Sequence, residues 1–305
     1  MTDVTAFDEH RPLLFSIAYR MLGSASDAED VVQDAWLRYR DAVDIRSPRA
    51  FAATIVTRLC LDRLKSARAT REEYVGPWLP EPILTTAEGL APNRSEGPDV
   101  TLQRSESVTL AFLVMLETLS PEERAVFLLR EVFDYKHDEI AEMLGLTAAN
   151  SRQLFHRAKE RIRSRGPRSD VAAPASQREV LLRFTEALKD GDARALTDLL
   201  TEDVGFWSDG GGKVAAARRP LVGRDAVMTL LVGLHRTGVA AGAFADASFV
   251  LREVNGEPAL LISASGRLDT VFVLSVAGSR ISALRVVRNP DKLQYIGRQL
   301  HIRTM

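Results

Sequence analysis

Cations gather in two places in this sequence, and both are short of acids. From Arg46 to Arg71 the chain carries Arg46, Arg49, Arg58, Arg63, Lys65, Arg68 and Arg71 against the interior acid Asp62. From Arg152 to Arg168 it carries Arg152, Arg157, Lys159, Arg161, Arg163, Arg165 and Arg168 against Glu160. One such run is ordinarily a solvated helix face. Two dense runs on segments with helical periodicity point to phosphate contact, because lysine and arginine displace the counterions of a nucleic acid. The formal net charge of −1 hides this, since acids cluster elsewhere, at Asp27, Glu29, Asp30 and Asp34. Covalent chemistry has weaker support. Asp209, Asp246, Asp269 and His235 are the acid–base candidates, but their spacing pairs no acid with a base, and each reads as a turn or surface residue. Cys60 is the single cysteine, which excludes an internal disulfide and a cysteine zinc cluster. Leu59 and Leu61 beside it read it as a small core residue. No metal site and no cofactor is expected.

Helices must position these cations. Residues from about Thr5 to Leu22 place Phe7, Leu14, Ile17, Ala18 and Met21 on one stripe, with Gly23 as the stop. Ser26 and Glu29 have the spacing of a capping box ahead of Val31, Val32, Ala35, Trp36 and Tyr39. Ser47-Pro48 opens a third helix through Phe51, Ile55, Leu59 and Leu64 into the first basic run. Ser120-Pro121-Glu122-Glu123 is another capping box, and its helix runs toward Val132. A short helix from His137 to Leu144 ends at Gly145, and Thr147 caps a longer one. Helix, glycine turn and basic helix make a helix-turn-helix. Ile140, Ala141, Leu144 and Leu146 supply its clasp; Leu154, Phe155, Ala158 and Ile162 face inward. Arg152, His156, Lys159 and Arg163 then share an outer face. Such a helix suits the major groove, with Arg152 and Gln153 near its start reading base edges.

The rest of the chain changes character twice. Residues 73–100 hold Pro77, Pro80, Pro82, Pro92 and Pro98 with Gly76, Gly89 and Gly97, and read as a linker. Within it, Trp78-Leu79-Pro80-Glu81-Pro82 is too apolar for a free tether and is expected to dock. Residues 167–176 form a second linker. Beyond it the pattern is α+β, with helices expected at 177–190, 192–201 and 223–235 and strands near 203–208, 247–254, 259–265, 269–276 and 280–288. Gly210, Gly211 and Gly212 permit positive φ and read as a tight strand-to-strand turn. They are no phosphate cradle, because no helix opens directly after Lys213. Asn289-Pro290 reads as a turn closing the last strand. Leu230, Leu231, Leu234, Phe244, Phe249, Phe272 and Leu274 either line a small-molecule cavity or fill a core. No apolar stretch is long enough for a membrane span. Met1 to Glu9 holds Asp3, Asp8 and Glu9 and no basic region, so no secretory signal is expected and the protein reads as cytoplasmic.

The order of these segments resembles a known family. Asp27-Ala28-Glu29-Asp30-Val31-Val32-Gln33-Asp34-Ala35-Trp36 resembles the core-polymerase-binding stretch of sigma region 2. Pro48–Arg71, with Phe51, Arg58, Arg63, Lys65 and Arg68, resembles the part that opens and holds the −10 element, where cations track single-stranded backbone and apolar groups accept unstacked bases. Residues 120–165 resemble region 4, which reads the −35 element. With nothing similar to regions 1.1 or 3, the chain resembles the extracytoplasmic-function (group 4) sigma factors of the sigma-70 family. It departs from the usual recognition pattern, a Val-Lys-Ser-Arg-Leu-type run, with Ser151-Arg152-Gln153-Leu154-Phe155. Leu59 follows Arg58 where asparagine is common.

Three further strings, Trp78-Leu79-Pro80-Glu81-Pro82, Asp209-Gly210-Gly211-Gly212-Lys213 and Asn289-Pro290-Asp291-Lys292-Leu293, resemble signatures of the subgroup with a fused SnoaL-like (NTF2-like) α+β cone. The resemblance implies two all-α sigma domains, at 1–72 and 101–166, and a regulatory cone at 177–305. It implies polymerase contact through Asp27, Glu29, Asp30, Gln33, Asp34 and Trp36, and −10 contact through Phe51, Arg58, Arg63, Lys65 and Arg68. The −35 contacts fall to Thr147, Arg152, Gln153, His156, Arg157 and Lys159. Trp78, Leu79 and Pro80, the run Asp209 to Lys213, and the run Asn289, Pro290, Asp291, Lys292 and Leu293 carry regulatory contacts. The implied partners are core RNA polymerase and promoter DNA, with an unidentified small molecule of the cone as an alternative and no separate anti-sigma factor. No catalytic residue is implied, because the polymerase performs the chemistry.

Overall fold

The computed structural model of the protein describes residues 4–72, 74–85, 108–165, 174–240 and 246–305. They fall into two units: residues 1–73 with 86–167, and residues 74–85 with 168–305. The placement of 74–85 differs from the expectation of a linker outside both domains.

In the first unit, α1 (Val4–Leu22), α2 (Ala25–Arg40) and α3 (Pro48–Glu72) pack on one another. Phe7, Leu14, Ile17, Tyr19, Val32 and Tyr39 are buried between them. Gly23 ends α1 with φ of 67°. The cap of α2 is Ser24, not Ser26: Ser24 is extended and its side chain accepts from the Asp27 N–H at 3.1 Å. Ser26 lies inside the first turn, and Glu29 pairs with Arg11 at 2.6 Å. At α3 the predicted start holds, with the Ala50 N–H donating to Ser47 Oγ at 3.4 Å. Cys60 is buried and its thiol is pushed up by desolvation, as befits an inert core residue.

The same unit continues with α4 (Leu110–Leu116), α5 (Pro121–Phe127), a π-helical turn (Leu128–Val132), α6 (His137–Leu144) and α7 (Ala148–Arg165). Both bonds of the Ser120–Glu123 capping box form, at 3.0 and 3.3 Å. Gly145 turns the chain between α6 and α7 with φ of 67°, and Thr147 Oγ1 accepts from the Asn150 N–H at 3.1 Å. Ile140, Leu154 and Ala158 are buried, as the helix-turn-helix reading requires.

The second unit is a mixed sheet with strand order β2-β1-β6-β5-β4-β3 and β7 on β5. Its elements are α8 (Pro174–Asp190), α9 (Ala193–Leu199), β1 (Leu200–Asp209), β2 (Leu221–Val222), α10 (Arg224–Ala240), β3 (Ala247–Val254), β4 (Glu257–Ala264), β5 (Arg267–Ala277), β6 (Arg280–Val287), α11 (Pro290–Leu300) and β7 (Arg303–Thr304). Alternation gives the sheet two apolar faces. One carries Phe206, Leu260, Phe272, Leu274, Leu284 and Val286 and packs with Phe184, Leu196 and Leu231 of α8, α9 and α10. The alternate residues Ala259, Leu261, Val271, Val273, Ala283 and Val287 are also buried. Their face is closed by α11, through Leu293 and Ile296, and by the segment 74–85, whose Leu79 and Ile83 are 1% and 0% exposed.

That segment is hydrogen-bonded into the sheet. The Ile83 N–H donates to Asn255 Oδ1 at 3.1 Å, and the Asn255 N–H returns to the Ile83 carbonyl at 3.0 Å. Leu84 bridges Val254 in antiparallel fashion, and the Leu84 N–H donates to Gln299 of α11 at 2.8 Å. A docked segment was expected. Its role as a layer of the second unit's core was not, nor was α11, which begins where a closing turn was expected. No helix among the described residues is long and apolar enough to cross a membrane. Ile83→Ala is expected to destabilise the second unit by about 2–5 kcal/mol, since it empties a site with no exposure. Denaturant unfolding should show a lower midpoint for that unit, with the helical unit unchanged.

Candidate nucleic-acid interface and a buried motif junction

Helix geometry sorts the cations of α3. Phe51, Arg58 and Lys65 recur every seven residues, close to two turns, and share a stripe. Arg63 lies about 140° from Arg58 around the helix. It faces α2, where its guanidinium is 2.9 Å from Asp27 and 3.7 Å from both Asp30 and Asp34. Arg63, expected with the −10 cations, is thus engaged with the acidic row of α2. Gln33 and Asp34 are exposed, and Trp36 rests against Phe7 at 5.4 Å. Phe51 is 36% exposed beside Tyr39. Arg68 lies on the backbone of α3, and its side chain is outside the described residues.

On α7 the outer face forms as predicted. Arg152, Gln153, His156, Arg157 and Lys159 are all exposed. Arg152 carries no ion pair among the described residues. Arg157 and Lys159 lie 3.8 and 3.4 Å from Glu123 and Glu131, and His156 lies 3.5 Å from Glu160. Thr147 spends its hydroxyl on the helix cap. Beneath this face, His137 Nδ1 is 2.9 Å from Oγ of the fully buried Ser151, and its ring meets Phe155 edge-on at 5.6 Å.

Within the first unit the two helical groups also meet. Arg58 donates to the Met143 carbonyl at 2.8 Å, and Lys65 pairs with Glu122 at 3.0 Å. Arg124, 3% exposed, donates to the Met21 carbonyl and to Glu117, both at 2.7 Å. Arg20 lies over the Phe133 ring at 5.8 Å. The α3 stripe therefore already holds protein partners.

In the second unit the three signature strings converge on one ion pair. Lys292 Nζ is 2.7 Å from Asp209 Oδ2 and donates to the Leu79 carbonyl at 2.6 Å. The rings of Trp78 and Tyr74 face the same ammonium at 4.2 and 4.7 Å. Asp209 Oδ2 also accepts from the Leu79 N–H at 2.8 Å, and Oδ1 accepts from the Tyr74 hydroxyl at 2.5 Å and the Gly211 N–H at 3.0 Å. Asn289 Nδ2 donates to the Tyr74 oxygen at 2.9 Å. Burial, then the hydrogen bond and charge of Asp209, push the Tyr74 hydroxyl up, so it remains a donor. Asp209 has no exposure, which corrects its reading as a turn or surface residue.

The glycines explain themselves here. Gly211 has φ of 58°, and a Cβ on it would lie 2.2 Å from Asn289 Nδ2. The stretch 210–220 is a loop between β1 and β2 rather than a tight turn, and Lys213 at its start pairs with Asp291. Asn289 caps α11 by accepting from the Asp291 N–H at 3.1 Å, with Pro290 at the first helical position, and Leu293 is buried. Asn-Pro was thus a helix start misread as a turn, although Leu293, Ile296 and Leu300 carry the helical spacing. Nothing in the sequence singled out Tyr74, Asn255 or Gln299.

The other candidates disperse. Asp269 is gripped by Arg288 at 3.0 Å, His235 faces the Leu188 carbonyl at 3.1 Å, and Asp246 is exposed. Leu231, Phe272 and Leu274 belong to the packed core, and Leu230 and Phe249 lie against it. Leu234 is 45% exposed, and Phe244 is outside the described residues.

Residues 6–70 match the family Sigma-70 region 2, and residues 109–162 match Sigma-70, region 4. The chain is 35% identical over 300 residues to the ECF RNA polymerase sigma factor SigJ of Mycobacterium tuberculosis, covering 95% of this chain and 93% of that one. It is 33% identical to the probable ECF RNA polymerase sigma factor SigI of the same species, covering 97% and 96%. The crystal structure of Mycobacterium tuberculosis SigJ superposes with a TM-score of 0.73 at 34% identity, over 96% of this chain and 99% of that one.

Asp209→Asn is expected to cost the second unit about 3–5 kcal/mol, because it strands the buried Lys292 charge. Amide exchange at Leu79 and Ile83 should accelerate with it. His137 gives a pH signature. Burial, then the charges of Arg130 and Arg152, hold it below its ordinary value of 6.5. The folded state thus favours the neutral ring: its stability is complete above that value and declines as pH falls through the folded pKa. Between about pH 7.5 and 5.5, wild type should lose more thermal stability than His137→Phe.

Proposed function

The chain belongs to the extracytoplasmic-function sigma factors of the sigma-70 family, and from that premise we propose that its surfaces divide promoter recognition among three contacts. A sigma factor is the promoter-specificity subunit of RNA polymerase. The exposed acidic row with Gln33 and Trp36 binds core polymerase. The α3 stripe of Phe51, Arg58 and Lys65, extended by Arg68, holds the opened −10 element. The start of α7, through Arg152 and Gln153, reads −35 bases, with His156, Arg157 and Lys159 on the backbone. The observation that carries this reading is the exposed, acid-poor outer face of α7, built on a helix-turn-helix.

The second unit restrains this activity in cis. Residues 74–85 lie in sequence between the two sigma regions and are bonded into the second unit, so part of the chain joining those regions belongs to it. In the described arrangement Arg58 and Lys65 are engaged by the helix-turn-helix group, and −10 binding requires their release. The exposed Lys65–Glu122 pair contributes at most about 1 kcal/mol, so polymerase and DNA can displace it. The restraint works in the cytoplasm beside the polymerase and needs no separate anti-sigma protein.

Run-off transcription with core polymerase tests the reading. The full chain should initiate specifically, and Asp209→Asn, which loosens 74–85, should change the yield; an unchanged yield would remove the regulatory role of the junction. Arg152→Ala should cost about 1–3 kcal/mol at one −35 position. Uniform weakening on all templates would make Arg152 a phosphate contact instead.

A further inference from the structure

We infer that His137 is a positioning residue for −35 recognition, setting the rotation of α7 about its own axis and so the aim of Arg152 and Gln153. The inference rests on the proposed role of α7. His137 stands in the first turn of α6 and does not belong to the exposed face of α7. It touches α7 at two points one turn apart. Nδ1 meets Oγ of Ser151 at 2.9 Å, and the ring edge meets Phe155 at 5.6 Å. Ser151 is fully buried and immediately precedes Arg152.

Two contacts separated along a helix fix both its rotation and its axial shift, which one apolar contact does not. Leu154 and Ala158 are buried beside them but bring no directional bond of their own, and apolar packing tolerates small rotations. Phe155 is itself seated by stacking on Phe127 of α5 at 6.1 Å, so the ring contact is braced from behind. At the start of α7 the polar contact is therefore the component with angular preference; the pairs that Arg157, Lys159 and Arg161 make with Glu123 and Glu131 lie further along the helix. Bidentate reading of a base edge needs that precision, whereas a phosphate contact by a long cation does not.

The test uses the full chain assembled with core polymerase. Duplexes randomised over the −35 and the −10 elements are selected, and base preference at each position is read by sequencing. His137→Phe keeps the ring and its contact with Phe155 but removes the hydrogen bond. Ser151→Ala removes the same bond from the other side, with a residue that favours the helix, and stands in if His137→Phe fails to fold. His137→Asn keeps a hydrogen-bonding group near Nδ1 and gives up the ring. Preference at the positions read by Arg152 and Gln153 should fall three- to ten-fold in His137→Phe and Ser151→Ala and recover in His137→Asn, with −10 preference unchanged. An unaltered profile in the first two variants overturns the inference, as does an equal loss at every position. Wild type without any −35 preference would overturn the reading of α7 itself, a result distinguishable because it precedes any variant.

Discussion

Lys292 and Asp209 face each other out of water, and each would be prohibitively costly there alone. Their remaining bonding capacity has to be met by protein, and the groups that meet it come from distant parts of the chain. Leu79 supplies a carbonyl to one and an amide to the other. Tyr74 supplies a hydroxyl, Gly211 an amide, and Tyr74 and Trp78 two aromatic faces. The pair thereby dictates that three strings meet at the end of β1, with Leu79 130 residues and Lys292 83 residues from Asp209 along the chain. A glycine is needed because Asn289 presses on position 211, and an asparagine because it both caps α11 and bonds Tyr74.

The first unit is governed by a different balance. The cations on its α3 stripe are exposed, and their protein partners are the Met143 carbonyl and the surface acid Glu122, interactions of modest net worth. Arg124 differs, buried between the Met21 carbonyl and Glu117. The seam between the two helical groups thus combines a buried bond with contacts that are individually weak. The acidic row on α2 is tied differently, since Arg63 spans three of its carboxylates and keeps their mutual repulsion in check.

Several features were legible without coordinates because they depend on neighbours in sequence. The Ser120 capping box, the Gly145 turn, the Thr147 cap and the exposed face at Arg152 and His156 follow from helical period and local hydrogen bonding. So did the strand at 247–254 and the change to α+β beyond the second linker. The cap at Ser24 was missed because Ser26 offers the same side chain two residues later, and backbone dihedrals decide between them. The pairing of Arg63 with Asp27, Asp30 and Asp34 is set by the packing of α3 on α2, which the basic run alone does not reveal.

The sequence by itself determined the helix-turn-helix, the order of the two sigma regions and the family they resemble, since period, caps and motif order are local properties. Only the tertiary structure decided that residues 74–85 are a layer of the second unit, that Asp209 is buried, and that Arg58 and Lys65 already have partners. Those outcomes turn on which distant groups satisfy a buried charge or an apolar sheet face. Many arrangements share the same local pattern, and burial and long-range hydrogen bonding select among them.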